Sequence, residues 1–314
     1  MLSITKQSDN SVNIVGVLKE RNVEEKVSQS GKAYVRGTAI ISTVTQVDGK
    51  AVESDHKIEK MVFKLKKDGS ENKLYDAVKD WEKLVSVASA TDQVPASRVC
   101  LQSSSLEENM FLPNGKDTVK DVKSTTKINV GWLKPSNDEN DKSEYTLTGV
   151  VVKDPIEQEK NGELTGNLVL KVGVFGYCNE KENPDGNISI LDLLVTTPLG
   201  INWVRSNVKE GDTILVQGDI INSFKKVVTV DTEGFGEISK ESTVSIKEYR
   251  VRAAKVLDEE NSYDYSDVKR AMAARMAKKE DVVAKAKERA ANSAASASAK
   301  SGLNDFGMDD AVPF

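Results

Sequence analysis

Histidine is almost absent: His56 is the only one in 314 residues. It stands beside a turn with no nucleophile pattern near it, so the expectation is a solvated loop side chain rather than a general base. Cysteine is scarce too. Cys100 and Cys178 lie far apart and no Cys-x-x-Cys pair exists, which argues against a zinc ribbon or a redox dithiol and leaves two ordinary thiols of a reducing compartment. Neither a GxxxxGK[ST] phosphate loop nor a GxGxxG turn occurs. No apolar run approaches the roughly 18–20 residues of a membrane span, and the opening Met1-Leu2-Ser3-Ile4-Thr5-Lys6 lacks the apolar core of a signal peptide. These absences predict a soluble, cytoplasmic, non-enzymatic binding protein, with no metal and no cofactor.

What is present is mainly β-pattern. Val12 to Leu18 is short and β-branched, and a polar stretch, 19–31, follows it. Ala33 to Thr45 alternates, with Ala33, Val35, Ala39 and Ile41 on one face and Tyr34, Arg36 and Thr38 on the other. Period-two alternation is the strand signal. Lys57 to Lys66 alternates again. Here Met61, Phe63 and Leu65 are assigned to the core, and Lys60, Val62, Lys64 and Lys66 to the opposite face. From Asn72 to Val87, the spacing of Leu74, Val78, Trp81 and Val85 predicts one apolar helical stripe. Strands are expected over 98–112, broken in the middle, and over 126–133, where Trp132 shares the parity of Ile128 and Val130 and is assigned to the interior. Asn114-Gly115 supplies a hairpin turn between them.

The pattern then starts afresh. Residues 135–143, rich in Asn and Asp, read as a linker. Strands follow at 145–153, 164–177 and 187–197, a short helix at 199–208, and strands at 213–221 and 243–256. Both halves therefore run strand, strand, strand, helix, strand, strand, an internal repeat of architecture rather than of residues. Five strands with a helix between the third and fourth is the OB-fold layout. The expected fold is all-β with minor α: two tandem OB-fold-like barrels, at 1–134 and 144–257. A charged helical segment, 258–291, should follow, and then a flexible tether with an acidic tip, 292–314.

The net charge of −5 is unevenly spread. Residues 1–134 hold 21 basic and 18 acidic side chains, a balance of +3, whereas 135–257 hold 14 and 20, a balance of −6. A surface for single-stranded nucleic acid needs aromatic faces for stacking and a basic groove for phosphates. Tyr34, Arg36, Lys60, Lys64 and Lys66 are the candidates in the first barrel, on the strands that usually form the OB binding face. Any solvated sheet face also alternates lysine with apolar residues, so these strands alone do not discriminate. In the second barrel the candidates are Lys171, Phe175 and Tyr177, with Phe224, Lys225 and Lys226 in the connection between its last two strands. Nucleic acid, another subunit or a partner protein are equally open as what this half contacts.

The C-terminus, Asp305-Phe306-Gly307-Met308-Asp309-Asp310-Ala311-Val312-Pro313-Phe314, behind a Ser/Ala-rich stretch, resembles that of bacterial and phage single-stranded DNA-binding proteins. Val12-Asn13-Ile14-Val15-Gly16-Val17-Leu18 and Ser30-Gly31-Lys32-Ala33 resemble that family's first two strands. Two barrels in one chain look more like a divergent, phage-encoded version than the common one-barrel tetramer. The resemblance implies a protein that coats single-stranded DNA in replication, recombination or repair. It further implies that Phe314 anchors, Pro313 turns, and Asp309 and Asp310 charge a peptide that docks on partner enzymes. Other readings are a protein–protein adaptor or virion component built from two barrels, and a recombination mediator that anneals complementary strands. Oligomeric state stays open.

Overall fold

In the computed structural model, residues 1–28, 30–178, 181, 184–231 and 238–301 are described, with 224–231, 238–245 and 289–301 described by their backbone alone. The first half holds β1 (Asn10–Val27), β2 (Ala33–Val47), β3 (Lys50–Phe63), α1 (Lys73–Lys79), β4 (Arg98–Gln102), β5 (Ser105–Phe111), β6 (Lys123–Asn129) and β7 (Trp132–Pro135). The second holds β8 (Lys142–Lys160), β9 (Glu163–Phe175), β10 (Ile188–Val195), α2 (Pro198–Asn207), β11 (Thr213–Asp231) and β12 (Ile238–Val256), and α3 (Tyr265–Ser301) follows.

The second half closes on itself. β8 pairs with β9 and β11, β9 with β10, and β11 with β12, all antiparallel. The ring is completed where β10 meets β12 in parallel at Leu194 and Arg250. With α2 between the third and fourth strands, this is the five-stranded OB circuit. The first half follows the same order but stays open. β1 pairs with β2 and β4, β2 with β3, and β4 with the short β7, while no described pairing joins β7 to β3. Between its fourth and fifth strands sits an inserted hairpin, β5–β6. The chain is therefore mostly β, with two OB-like barrels as the repeat predicts.

Local reasons for these elements are visible. β2 buries Val35, Gly37, Ala39, Ile41 and Thr43 on one face. Gly37 lies where the Trp81 ring seats, since a Cβ there would stand 2.7 Å from the indole. Trp81 and Val78 are buried as their stripe predicts, and Asn72 caps α1 through Leu74 N–H. Trp132 is only half-buried, with Lys134 Nζ 5.6 Å from its ring centroid.

The two barrels share one sheet. β1 pairs with β8 from Asn10 opposite Leu147 to Val15 opposite Lys142, and one apolar cluster includes Ile14 and Ile41 together with Tyr145, Leu147 and Leu170. Arg98 pins the intervening segment, donating from Nε to Asp138 O (2.8 Å) and from Nη2 to Asp141 Oδ1 (2.7 Å).

His56 corrects the sequence reading. It is 1% exposed rather than a loop side chain, because β3 runs unbroken from residue 50 and turns Ser54, His56, Ile58 and Val62 inward. Its Nε2 lies 3.1 Å from Thr43 Oγ1 and 3.0 Å from Ser143 Oγ. Ser143 gives its own proton to Ile220 O (2.5 Å), so it accepts from His56, which places the imidazole proton on Nε2. Burial pushes the His56 pKa down to about 4. The unfolded chain, titrating near 6.5, then binds the extra proton first, and stability falls as pH drops through that window. Wild type is expected to lose about 2 kcal/mol between about pH 7 and pH 5 from this group. Urea midpoints of wild type and His56→Gln at the two pH values should diverge by that amount.

α3 and the N-terminal segment cover the outer side of the second barrel. Val268 and Ala271 are each 1% exposed and pack with Ile4, Val150, Phe175, Ile188 and Tyr263. The Ser/Ala-rich stretch, read from composition as the start of a tether, is helical up to Ser301, in keeping with the high helix propensity of alanine.

Candidate nucleic-acid interface

β2 and β3 pair with Tyr34 opposite Phe63, Arg36 opposite Met61, Thr38 opposite Glu59 and Ile40 opposite Lys57. Directly opposed residues share a face. Since Tyr34 and Arg36 point outward, Phe63 and Met61 must as well, which overturns their assignment to the core. Met61 is 55% and Phe63 39% exposed, and Leu65 lies exposed beyond the strand. The inward residue is Val62, opposite Val35.

The result is an aromatic and cationic strip. The Tyr34 and Phe63 rings meet edge to face, 5.9 Å between centroids. Lys64 and Lys66 are exposed just past β3, and a backbone bond from Lys64 N–H to Ala33 O (3.0 Å) keeps Lys64 beside Tyr34. Arg36 Nε donates to Glu59 Oε1 at 2.8 Å, both side chains about half exposed, so its cation is partly spent within the sheet. The outward residues from Phe63 to Lys57 span about 20 Å at strand rise.

Lys60 departs from the expected face. It has the inward parity of Ile58 and Val62, is half-buried, and its Nζ donates to Val130 O. Desolvation lowers its pKa. Lys60 thus bridges β3 to the β6–β7 turn across the open side of the first barrel. Lys is tolerated there because its four-carbon stem fills the seam while the ammonium finds a carbonyl.

In the second barrel the predicted residues separate. Phe175 is fully buried, its ring centroid 4.6 Å from that of Tyr263, so it is not available for stacking on a base. Alternation gave it an outer face, but α3 covers that face. Lys171 pairs with Asp192 across β9–β10 at 2.7 Å. Tyr177, past the end of β9, is 79% exposed. The backbones of Phe224, Lys225 and Lys226 lie in β11 opposite Ser245, Val244 and Thr243, and their side chains fall outside the described residues, as do Asp309, Asp310, Pro313 and Phe314.

Two clefts flank the β5–β6 hairpin. One, of about 860 Å³, lies toward α3 and has walls of mixed charge, among them Glu107, Glu108, Lys278, Asp281 and Lys285. The other, of about 530 Å³, lies between β3, the hairpin and the second barrel. Its residues come from three distant segments, so no local sequence signal could have grouped them. Among the described residues no cluster of His, Cys, Asp and Glu is placed to hold a metal ion, and no helix is long and apolar enough to cross a membrane.

No curated protein matches the chain. Two solved structures of the single-stranded DNA-binding protein from Thermus aquaticus are similar at 14% identity and a TM-score of 0.47. The wild-type alignment covers 82% of this chain and 98% of that one; that of a deletion mutant covers 81% and 96%. Likeness at this level carries no argument about function. The family model described as YorF matches residues 8–288. That match takes in both barrels and the docked part of α3, and the chain accordingly belongs to the YorF family.

Proposed function

We propose that this chain is a non-catalytic single-stranded DNA-binding protein that grips the strand on the outer face of β2–β3. The observation that carries this reading is the strip itself. An outward-facing aromatic pair, half-buried Tyr34 and exposed Phe63, and an exposed methionine, Met61, lie on the second and third strands of an OB-like barrel, beside two exposed lysines, Lys64 and Lys66, just past the third. Bases stack on the rings and the lysines meet phosphates. Arg36 joins them by exchanging Glu59 for a phosphate. A fluorescent oligo-dT should bind tightly at low salt, and the affinity should fall steeply as salt rises. Absence of binding at low salt would defeat the reading.

Within it, the protein coats and protects DNA in replication or recombination, and Asp309, Asp310, Pro313 and Phe314 recruit partner proteins. One aromatic anchor with flanking acids suits a transient, salt-sensitive contact. Removing the last six residues should leave oligo-dT affinity unchanged or higher, as measured by anisotropy, because the acidic tip competes for the basic strip. A drop in affinity on truncation would contradict a recruiting role separate from grip.

A second reading, a protein–protein adaptor, is favoured by the second barrel. Its outer lysine, Lys171, is neutralised by Asp192, and α3 already covers part of its surface. That reading expects a stable multimer with no oligo-dT binding, which the same titration with light scattering distinguishes. Faster pairing of complementary strands would identify an annealing protein instead.

A further inference from the structure

The cleft of about 530 Å³ joins the two barrels where the strip on β3 ends. β3 contributes Lys57 and Met61, the hairpin Asn109 and Lys127, and the second barrel Asn222 and Lys247. Lys57, Asn109, Lys127 and Lys247 are exposed. Among the described residues the lining has one carboxylate, Glu59, and Arg36 already occupies it. Lys57 and Lys127 form no ion pair among the described residues.

The walls are held in place by bonds that leave this lining open. Asn222 Nδ2 donates to Asp55 O at 2.7 Å, fixing β11 against β3. Lys247 Nζ donates to Thr126 O at 2.7 Å, and Tyr249 OH to the same carbonyl at 3.3 Å, fixing β12 against β6. An ammonium has three donors, so Lys247 keeps two for a ligand. Met61 belongs to both strip and cleft. Phe63, Met61, Glu59 and Lys57 follow one another on one face at about 7 Å steps.

We infer that the cleft is a second binding segment for the same DNA strand, in which Lys57, Lys127 and Lys247 take backbone phosphates and the second barrel contributes directly to grip. This rests on the proposed single-stranded DNA binding and adds a path to it. The strand stacks at Tyr34 and Phe63, runs along β3 past Met61, and enters between the barrels. Asn109, whose side chain is exposed, and Asn222 offer amides to a base edge or sugar in the cleft.

The test is the salt dependence of binding to a fluorescein-labelled oligo-dT of about 20 nucleotides. Each phosphate contact on a single strand contributes a slope of about −0.7 in log K against log salt. The double variant Lys57→Ala/Lys127→Ala should therefore lose about 1.4 of slope and bind roughly 10-fold more weakly at low salt. The Lys57→Arg/Lys127→Arg variant should keep the wild-type slope. As a measurement that needs no variant, an oligo-dT carrying 5-iodouracil should photo-crosslink to peptides that contain residue 127 or 247. If wild type binds and Tyr34→Ala/Phe63→Ala weakens it, but the lysine variant keeps its slope and no crosslink reaches residues 109, 127, 222 or 247, the cleft is not on the path. If wild type fails to bind at all, the underlying DNA-binding reading falls and takes the cleft with it.

Discussion

Replacing Glu108 by alanine is expected to destabilise the protein by about 3–5 kcal/mol. Glu108 is on the inserted hairpin and its side chain is 2% exposed; its partner, Arg275 of α3, is 8% exposed. The guanidinium donates to both carboxylate oxygens, with Nε–Oε2 at 2.9 Å. The same carboxylate accepts from Ile190 N–H at 3.1 Å. One side chain therefore ties the first barrel's hairpin, the third strand of the second barrel and the C-terminal helix. Without it a guanidinium is left buried and unpaired, and the docking of Val268 and Ala271 over Phe175 loses its clamp. Replacing both partners, as Glu108→Gln/Arg275→Met, should recover most of the loss, because a buried pair costs nearly as much in desolvation as it returns. Urea midpoints of the single and double variants measure this. An alanine variant within about 1 kcal/mol of wild type would show the pair to be solvated.

The same site sets an acid limit. Burial pushes the Glu108 carboxyl up, but the Arg275 and Ile190 hydrogen bonds outweigh it, and the net shift is downward. A carboxyl lowered on folding contributes stability above its unfolded pKa and loses it as pH falls through the folded value. Glu108 therefore acts below the ordinary carboxylate range, whereas His56 acts between about 6.5 and 4. Glu108→Gln should flatten the lower part of the acid limb and His56→Gln the upper part.

The second large effect is on binding. Tyr34→Ala/Phe63→Ala should weaken oligo-dT affinity by about 10- to 100-fold, since each base stacked on an aromatic side chain contributes about 1–3 kcal/mol. The rings meet at 5.9 Å and support one another, so the double change is expected to be less than the sum of the singles. Stacking carries no counterion, so the salt slope should stay near that of wild type. Both side chains are partly exposed on an outer face, so melting temperature should move little. Unchanged affinity would remove the strip from the site. Tyr34→Phe, which keeps the ring, should bind as wild type.

The faces of the strands that carry the proposed strip are only partly legible in the sequence, and the differences have specific causes. Tyr34 and Arg36 were placed on the outer face of β2 correctly because β2 buries its other face against the core. Hydrophobicity alone assigns Phe63 to the core because the end of this strand mixes apolar residues on both faces, and the structure has the opposite parity. The register would have corrected it, since the partner of an outward Tyr34 must also point outward. His56 reads as a loop residue because it follows the Asp48-Gly49 turn, yet β3 begins directly after that turn. Phe175 and Lys60 failed for a different reason. Their surroundings are made by α3 and by the β6–β7 turn, about 90 and 70 residues away in sequence.

The sequence by itself determined the alternation of most strands, the place of the helix between the third and fourth strands of each half, and hence the repeated five-stranded unit, though β1 runs on to Val27 through what reads as a polar stretch. Those follow from alternation, helical spacing and turn residues, which act over a few positions. Only the tertiary structure decided that β1 and β8 join the barrels in one sheet, that α3 covers the outer face around Phe175, and that a lysine-lined cleft opens beside β3. The physical reason is that alternation distinguishes the two faces of a strand but does not say what lies against either. That depends on contacts between segments far apart in the chain, whose stabilisation comes from burial and ion pairing that no local pattern records.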